Sequence, residues 1–134
     1  MLNECLSRYQ DTSVSWSDLF RKFEELRKAN CDAIADLAVE NFVEMRDLVA
    51  NPDFLIKKKA ELALQERFPE YFIPKYSMVT FHRIPYAVAL SRGTTQALIL
   101  DDLCADIDDV SDIDWTKAEQ LIINRLTPIG EENP

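Results

Sequence analysis

The chain has 134 residues, of which 47% are hydrophobic and 29% charged, a balance that is typical of a folded domain and not of a disordered chain. Its net charge of −9 disfavours a general nucleic-acid binder, because phosphate contacts need a basic face. Gly93 and Gly130 are its only glycines, which excludes the clustered glycines of a dinucleotide-binding loop or a P-loop.

Helix signals fill the first part of the chain. Residues 2–9 resemble the end of a helix that is already in progress at the first residue. Ser15 and Asp18 resemble a capping box, which predicts a second helix to about Lys28. Apolar residues recur along this helix at helical spacing, and we expect them to lie in the core: Trp16, Leu19, Phe20, Phe23 and Leu26.

A central helix is predicted over 32–50, after a break at 29–31, with Asp32 as its N-cap. Its apolar stripe is formed by Ile34, Leu37, Ala38, Met45 and Leu48. Asn41 lies in the middle of this stripe and Glu44 at its edge. The spacing of Glu44 to lysine or arginine along the helix is poor, so we expect no ion pair for it. A buried amide without partners costs about 1–3 kcal/mol, so Asn41 needs a hydrogen-bond partner from the protein, from water or from a ligand.

The second half of the chain also reads as mostly helical. Asn51-Pro52 is a strong start signal for a helix to about Phe68. Residues 76–81 alternate enough to predict one short extended run. Pro85 is expected to start a helix to about Leu103, and Asp114 to cap a last one. The last helix has four apolar residues on one face, namely Trp115, Ala118, Ile122 and Leu126, and residues 127–134 are predicted to be a frayed tail.

Several kinds of site are disfavoured by spacing. The three cysteines are far apart and predict reduced thiols in a cytoplasmic protein, not a disulfide framework or a zinc site. The lysines at 57–59 lack the interleaved aromatic residues of a nucleic-acid site, and we expect them to form a solvated face. The seven aspartates between 101 and 114 lack the glycine and glutamate of a calcium loop. The lone His82 has no nearby nucleophile or acid partner. No apolar run reaches the length of a membrane span.

These elements add up to a mainly α chain of five or six helices with at most one short strand. Two segments then carry a resemblance to a known family: AIADLAVENFVEMRD at 33–47 and RFPEYFIPKYSMVTFHRIPY at 67–86. Together they resemble the C-terminal part of kynurenine 3-monooxygenase, an FAD- and NADPH-dependent hydroxylase of the tryptophan-to-NAD pathway. The resemblance covers about residues 1–105, the C-terminal segment of the substrate domain in a larger α/β flavoprotein. Residues 106–134 are left as an acidic connector, a last helix and a tail.

The resemblance implies a substrate site. The family uses the asparagine, glutamate and methionine of an N-x-x-E-M string and the tyrosine of an I-P-x-Y string, which fall here on Asn41, Glu44, Met45 and Tyr76. It implies that Asn41 and Tyr76 hold the carboxylate of L-kynurenine, while Glu44 and Met45 line the pocket. The implied role of Asn41 agrees with its place in an apolar stripe.

The glycine-rich FAD fingerprint and second flavin motif of the family do not occur in this chain. We therefore expect no bound FAD or NADPH and no hydroxylation by this chain alone, with flavin chemistry left to a separately encoded FAD-binding part. The alternative is a small acidic helical interaction module without enzymatic activity. An acidic chaperone-like or regulatory protein is a third reading, which only the net charge favours.

Overall fold

The computed structural model describes residues 2–9 and 15–129 of the chain. Within those two ranges there are six α-helices and no β-strand, which confirms the mainly α class. The helices are α1 (Leu2–Tyr9), α2 (Trp16–Val43), α3 (Pro52–Arg67), α4 (Lys75–Thr80), α5 (Tyr86–Cys104) and α6 (Trp115–Arg125). A π-helical turn over Glu44–Leu48 continues α2, and a 3₁₀ turn over Val110–Asp112 precedes α6.

The predicted caps at Ser15, Asn51 and Asp114 are confirmed. Ser15 Oγ accepts from the backbone N–H of the third residue after it at 3.2 Å. Asn51 and Asp114 each accept from two N–H groups of the first turn, at 2.9 to 3.3 Å. These contacts satisfy donors that have no partner inside the helix, and each is worth about 1 kcal/mol.

The predicted break at 29–31 is wrong, because α2 runs through it without interruption. Asp32 does not cap a helix; it accepts from Lys28 one turn earlier, at 2.6 Å. Neither glycine nor proline occurs at 29–31, and residues such as Asn30 and Cys31 each cost a helix at most about 0.7 kcal/mol relative to alanine. A new helix end would leave several backbone groups without partners, so continuation is favoured.

The predicted extended run at 76–81 is also wrong, because Lys75–Thr80 forms α4. The described residues contain no strand that could pair with it. A helix satisfies its backbone groups locally, as shown by the bond from Met78 N–H to the Pro74 carbonyl at 3.0 Å. Local bonding therefore overrides the alternation of side chains.

The main core lies between α3, α5 and α6 and includes the chain after α3. Its buried residues are Ala60, Leu64, Phe72, Ile99, Leu100, Leu103, Ile113, Ala118, Ile122 and Leu126. The apolar face predicted for α6 is thus confirmed, with Trp115 packed at the edge of the core. Buried Arg92 donates to the carbonyls of Tyr71 and Thr127, both at 2.6 Å, and holds the chain on either side of this core. Of the predicted tail, Thr127–Ile129 is described, and Ile129 N–H donates to the Glu70 carbonyl at 2.8 Å; residues 130–134 lie outside the described residues.

Helix α2 packs against α5 and α1, and much of its length stays exposed. Leu19, Ala33 and Leu37 are its buried residues. The rest of the stripe predicted as core is not buried: Trp16 is 68% exposed and Phe20 is 56% exposed. That part of the prediction is wrong, because helical spacing shows that a face is apolar but not whether another element covers it.

Candidate functional site

The four residues predicted to bind substrate lie on α2, its π-helical continuation and α4. Asn41 is exposed on α2, and Met45 in the π-helical turn is 65% exposed. Glu44 and Tyr76 are half-buried, and the Glu44 carboxylate acts on the ionisation of the Tyr76 phenol. The structure thus brings Glu44 close to Tyr76 and leaves Asn41 and Met45 open on the outer side of the same helical segment.

Glu44 belongs to a group of alternating charges, the Glu44 cluster, formed by Glu40, Glu44, Lys58, Glu61 and Lys75. Lys58 Nζ lies 3.4 Å from Glu44 and 3.2 Å from Glu61. Lys75 Nζ lies 3.8 Å from Glu44 and also donates to Glu40. Burial acts to lower the pKa of Lys58, but the nearby carboxylates of Glu61 and Glu44 outweigh it and raise that pKa.

The cluster corrects two sequence expectations. Spacing along the helix suggested that Glu44 has no ion pair, yet its partners come from α3 and α4. The lysines at 57–59 were expected to form a solvated face, but Lys58 is half-buried between two glutamates, and Lys57 donates to Asp101 at 2.5 Å. Neither lysine could be assigned to the site from sequence, because both pairs join residues that are far apart in the chain.

The Tyr76 phenol is held neutral inside this cluster. Burial raises its pKa, and the charges of Glu44, Glu40 and Glu61 raise it further. Lys75 Nζ lies 5.2 Å from the centre of the ring. The Tyr76 hydroxyl is buried, and within the described part of the chain it has no hydrogen-bond partner. A buried hydroxyl without a partner is unusual, which makes Tyr76 a candidate site residue.

Two pockets share Glu44 and Lys75 in their lining. The smaller has a volume of about 220 Å³ and reaches Lys58, Glu61 and Gln96. The larger has a volume of about 440 Å³ and is lined by more apolar residues of α2, including Val39 and Val43. Gln96 is only 2% exposed, and its amide has no partner among the described residues. The smaller pocket is therefore polar at its base and wide enough for ordered water.

The stem of Lys75 crosses α5 at Gly93, where a Cβ atom would lie 2.5 Å from the Lys75 Cδ. In an exposed helix Gly→Ala gains about 1 kcal/mol. Here we expect Gly93→Ala to lower the free energy of unfolding by about 1–2 kcal/mol, because Lys75 has to leave its place between Glu40 and Glu44. Urea unfolding of the single variants and of Gly93→Ala/Lys75→Ala measures the coupling. A loss that persists at full size in the Lys75→Ala background would contradict this account.

Tyr76→Phe is expected to raise the free energy of unfolding of this chain by about 1 kcal/mol at pH 8, because it removes a buried hydroxyl without a partner. Unfolded tyrosine ionises near pH 10. The pKa of Tyr76 is raised on folding. Its ionisation therefore leaves the free energy of unfolding unchanged below about pH 10 and lowers it as the pH rises further. The variant should therefore lose less stability than the parent chain between pH 9 and 11, as measured by urea unfolding. An equal loss in both proteins would contradict the raised pKa.

The outer face of α2 carries exposed apolar residues in two groups, which Arg27 separates. At 100° per residue, one face of the helix contains Trp16, Phe20, Ile34, Ala38 and Phe42, and Asn41 lies at its edge. Phe42 is 60% exposed, and Met45 extends the stripe into the π-helical turn. Large apolar patches on a surface mark binding sites, so this outer stripe is the second part of the candidate site.

Two other kinds of feature, a metal site and a membrane-spanning helix, are absent from the described part of the chain. Residues 2–9 and 15–129 contain no group of three or more potential metal ligands. None of the described helices is both long and apolar enough to cross a membrane. Cys5, Cys31 and Cys104 are free thiols in this structure.

Comparison with known proteins finds the same enzyme family that the segments at 33–47 and 67–86 resemble. No family model matches the chain. It is 44% identical over 120 residues to the kynurenine 3-monooxygenase of Myxococcus xanthus (strain DK1622), 43% over 119 residues to that of Xanthomonas euvesicatoria pv. vesicatoria (strain 85-10), and 35% over 122 residues to that of Legionella pneumophila (strain Corby). Each match covers about 90% of this chain but only 26% of the relative. The predicted resemblance to a C-terminal part of this enzyme is therefore confirmed.

Proposed function

We propose that this chain, whose sequence resembles the C-terminal part of kynurenine 3-monooxygenase, forms the helical wall of a kynurenine-binding pocket. In the proposal the flavin is bound by other polypeptide, and the complete enzyme hydroxylates L-kynurenine to 3-hydroxykynurenine in NAD biosynthesis from tryptophan. The observation that carries the proposal is the exposure of Asn41 and Met45 on an apolar helix face beside the half-buried pair Glu44 and Tyr76.

The roles follow from the charge state of each group. Tyr76 is a neutral donor without a partner, so it can donate to the substrate carboxylate, and the Asn41 amide can donate beside it. An ionised Glu44 carboxylate only accepts hydrogen bonds, so it can bind the ammonium group of an amino acid but not its carboxylate. Met45 offers an adaptable apolar surface for an aromatic ring.

The described residues do not fit FAD. The only described glycine, Gly93, lies inside α5 under the stem of Lys75 and offers no open backbone to a pyrophosphate. In the complete enzyme FAD supplies the oxygen chemistry and NADPH the electrons. This chain contributes binding and orientation, and we propose that by itself it catalyses no hydroxylation. The division at residue 105 and a cytoplasmic location remain predictions.

A second candidate is an acidic helical interaction module without enzymatic activity. The main core supports it, since buried residues such as Phe72 and Ile122 give the chain an interior of its own. The two candidates differ in what the outer stripe contacts. The first requires a flavin-binding partner, and the second does not.

Co-expression with an FAD-binding part tests the proposal. That part is the preceding portion of the Myxococcus xanthus enzyme, produced separately. We expect the two pieces to co-purify as a yellow complex in which kynurenine stimulates NADPH oxidation. Asn41→Ala in the complex should raise KM for kynurenine about tenfold or more, since it leaves a charged group without its hydrogen bond. Asn124→Ala, at an exposed position of α6, is the matched control.

Three outcomes would count against the proposal. The isolated chain could bind flavin and consume NADPH with kynurenine, which would contradict its dependence on a partner. The two pieces could fail to associate at high concentration, which would favour the interaction module. Asn41→Ala could leave KM unchanged in an active complex, which would remove Asn41 from the substrate site.

A further inference from the structure

A third pocket, outside the proposed substrate wall, lies between the middle of α2 and the turn that connects α4 to α5. Its volume is about 440 Å³. Two arginines line it, Arg27 from α2 and Arg83 from the turn, and no aspartate or glutamate of the described residues does. In a chain with 24 acidic and 15 basic residues, a pocket with this charge is unusual.

Neither arginine is neutralised within the described part of the chain. Arg27 lies 5.6 Å from the centre of the Phe23 ring and donates to Cys31 Sγ at 3.9 Å, and neither of these partners is a carboxylate. Arg83 forms no ion pair with any described residue. Two guanidinium groups on one concave surface repel each other and attract anions, and their planar donors match a carboxylate or phosphate.

The walls of the pocket are ordered and partly apolar. Asn30 Oδ1 accepts from Ala87 N–H at 3.1 Å, which ties α2 to the start of α5. Ile34, Ile84 and Tyr86 add apolar and aromatic surface to the lining of the same pocket. A fully hydrated inorganic ion gains nothing from such walls, whereas an organic anion with an apolar body gains from both parts.

We propose that this pocket binds an organic carboxylate with an aromatic or apolar body, through Arg27 and Arg83. The inference does not depend on the proposed enzymatic function, because none of Asn41, Glu44, Met45 and Tyr76 lines this pocket; Ile34 of the outer stripe is the one shared residue. It requires only the 134-residue chain and can be tested on it.

Cys31 reports on occupancy because its exposed thiol lies in the pocket wall. In a Cys104→Ser background Cys31 is the accessible thiol, since Cys5 is buried. Its thiolate attacks a disulfide reagent, forms a mixed disulfide and releases the other half as a thiolate. The measured quantity is the rate of reaction of Cys31 with Ellman's reagent, an aromatic carboxylate, divided by its rate with neutral 4,4′-dithiodipyridine. Replacing both Arg27 and Arg83 by glutamine should lower the ratio of the two rates about five- to tenfold at low salt.

Protection by small acids identifies the preferred ligand. Benzoate should halve the rate of the neutral reagent at roughly millimolar concentration, whereas acetate and inorganic phosphate should need much more. Ile34→Glu places a carboxylate in the lining that contains both arginines, and it should abolish protection while both arginines remain. Arg67→Gln, on α3, is the matched control, and circular dichroism checks that each variant is folded. Equal protection by benzoate and by sodium chloride, or protection that persists in the double glutamine variant, would overturn the proposal.

Discussion

Phe72→Ala is expected to lower the free energy of unfolding by about 3–5 kcal/mol, the largest loss of stability predicted for this chain. Phe72 is fully buried in the main core, in contact with residues of the surrounding helices. Truncation removes an aromatic ring and leaves a cavity that the helices cannot close completely. Since small domains are stable by only about 5–15 kcal/mol, this single change should remove a large part of the total.

Urea unfolding followed by circular dichroism measures this loss, with Phe81→Ala as the matched control. Phe81 lies just after α4 and is 78% exposed, so its truncation should change the free energy of unfolding by about 0.5 kcal/mol or less. Similar losses in both variants would show that the chain has no specific core of its own. Such a result would also remove the main support for an independent interaction module.

Local signals in the sequence predicted the helix starts well. Ser15, Asn51 and Asp114 cap helices because each side chain bonds to backbone groups only two or three residues away. Pro85 directly precedes α5 for a similar local reason, since its fixed φ suits the residue before a helix. Capping depends on short-range geometry, so no knowledge of the tertiary structure is needed to predict it.

The features that could not be predicted from the sequence depend on tertiary contacts. Trp16 and Phe20 were expected in the core, but burial depends on whether another element covers the face, and the spacing along one helix carries no information about that. The partners of Glu44 lie on α3 and α4, beyond any pattern of i and i+4. In the same way, Gln96 and Arg27 read as ordinary polar residues of two helices until the pockets around them are seen.

The outer stripe of α2 is expected to contact the FAD-binding part, so charges placed on it should weaken association. Phe42→Asp and Met45→Asp should each weaken association with the FAD-binding part about thirtyfold or more, because each would bury an unpaired charge in an apolar interface. Both side chains are mostly exposed in this chain, so neither variant should lower its own free energy of unfolding by more than about 0.5 kcal/mol. Isothermal titration of the two separately purified pieces measures the affinity.

Ile123→Asp distinguishes a specific interface from general stickiness. Ile123 is 56% exposed on α6, a helix that carries none of the residues assigned to the substrate site. If the outer stripe of α2 contacts the flavin-binding part, Ile123→Asp binds like the parent chain while the two stripe variants do not. Equal weakening by all three would mean that association follows total exposed apolar surface, and equal binding by all three would place the interface elsewhere. Only the first result, in which the two stripe variants alone lose affinity, places the FAD-binding part beside Asn41. Asn41 lies between Ile34 and Phe42 along α2, so the FAD-binding part would then complete the pocket around it.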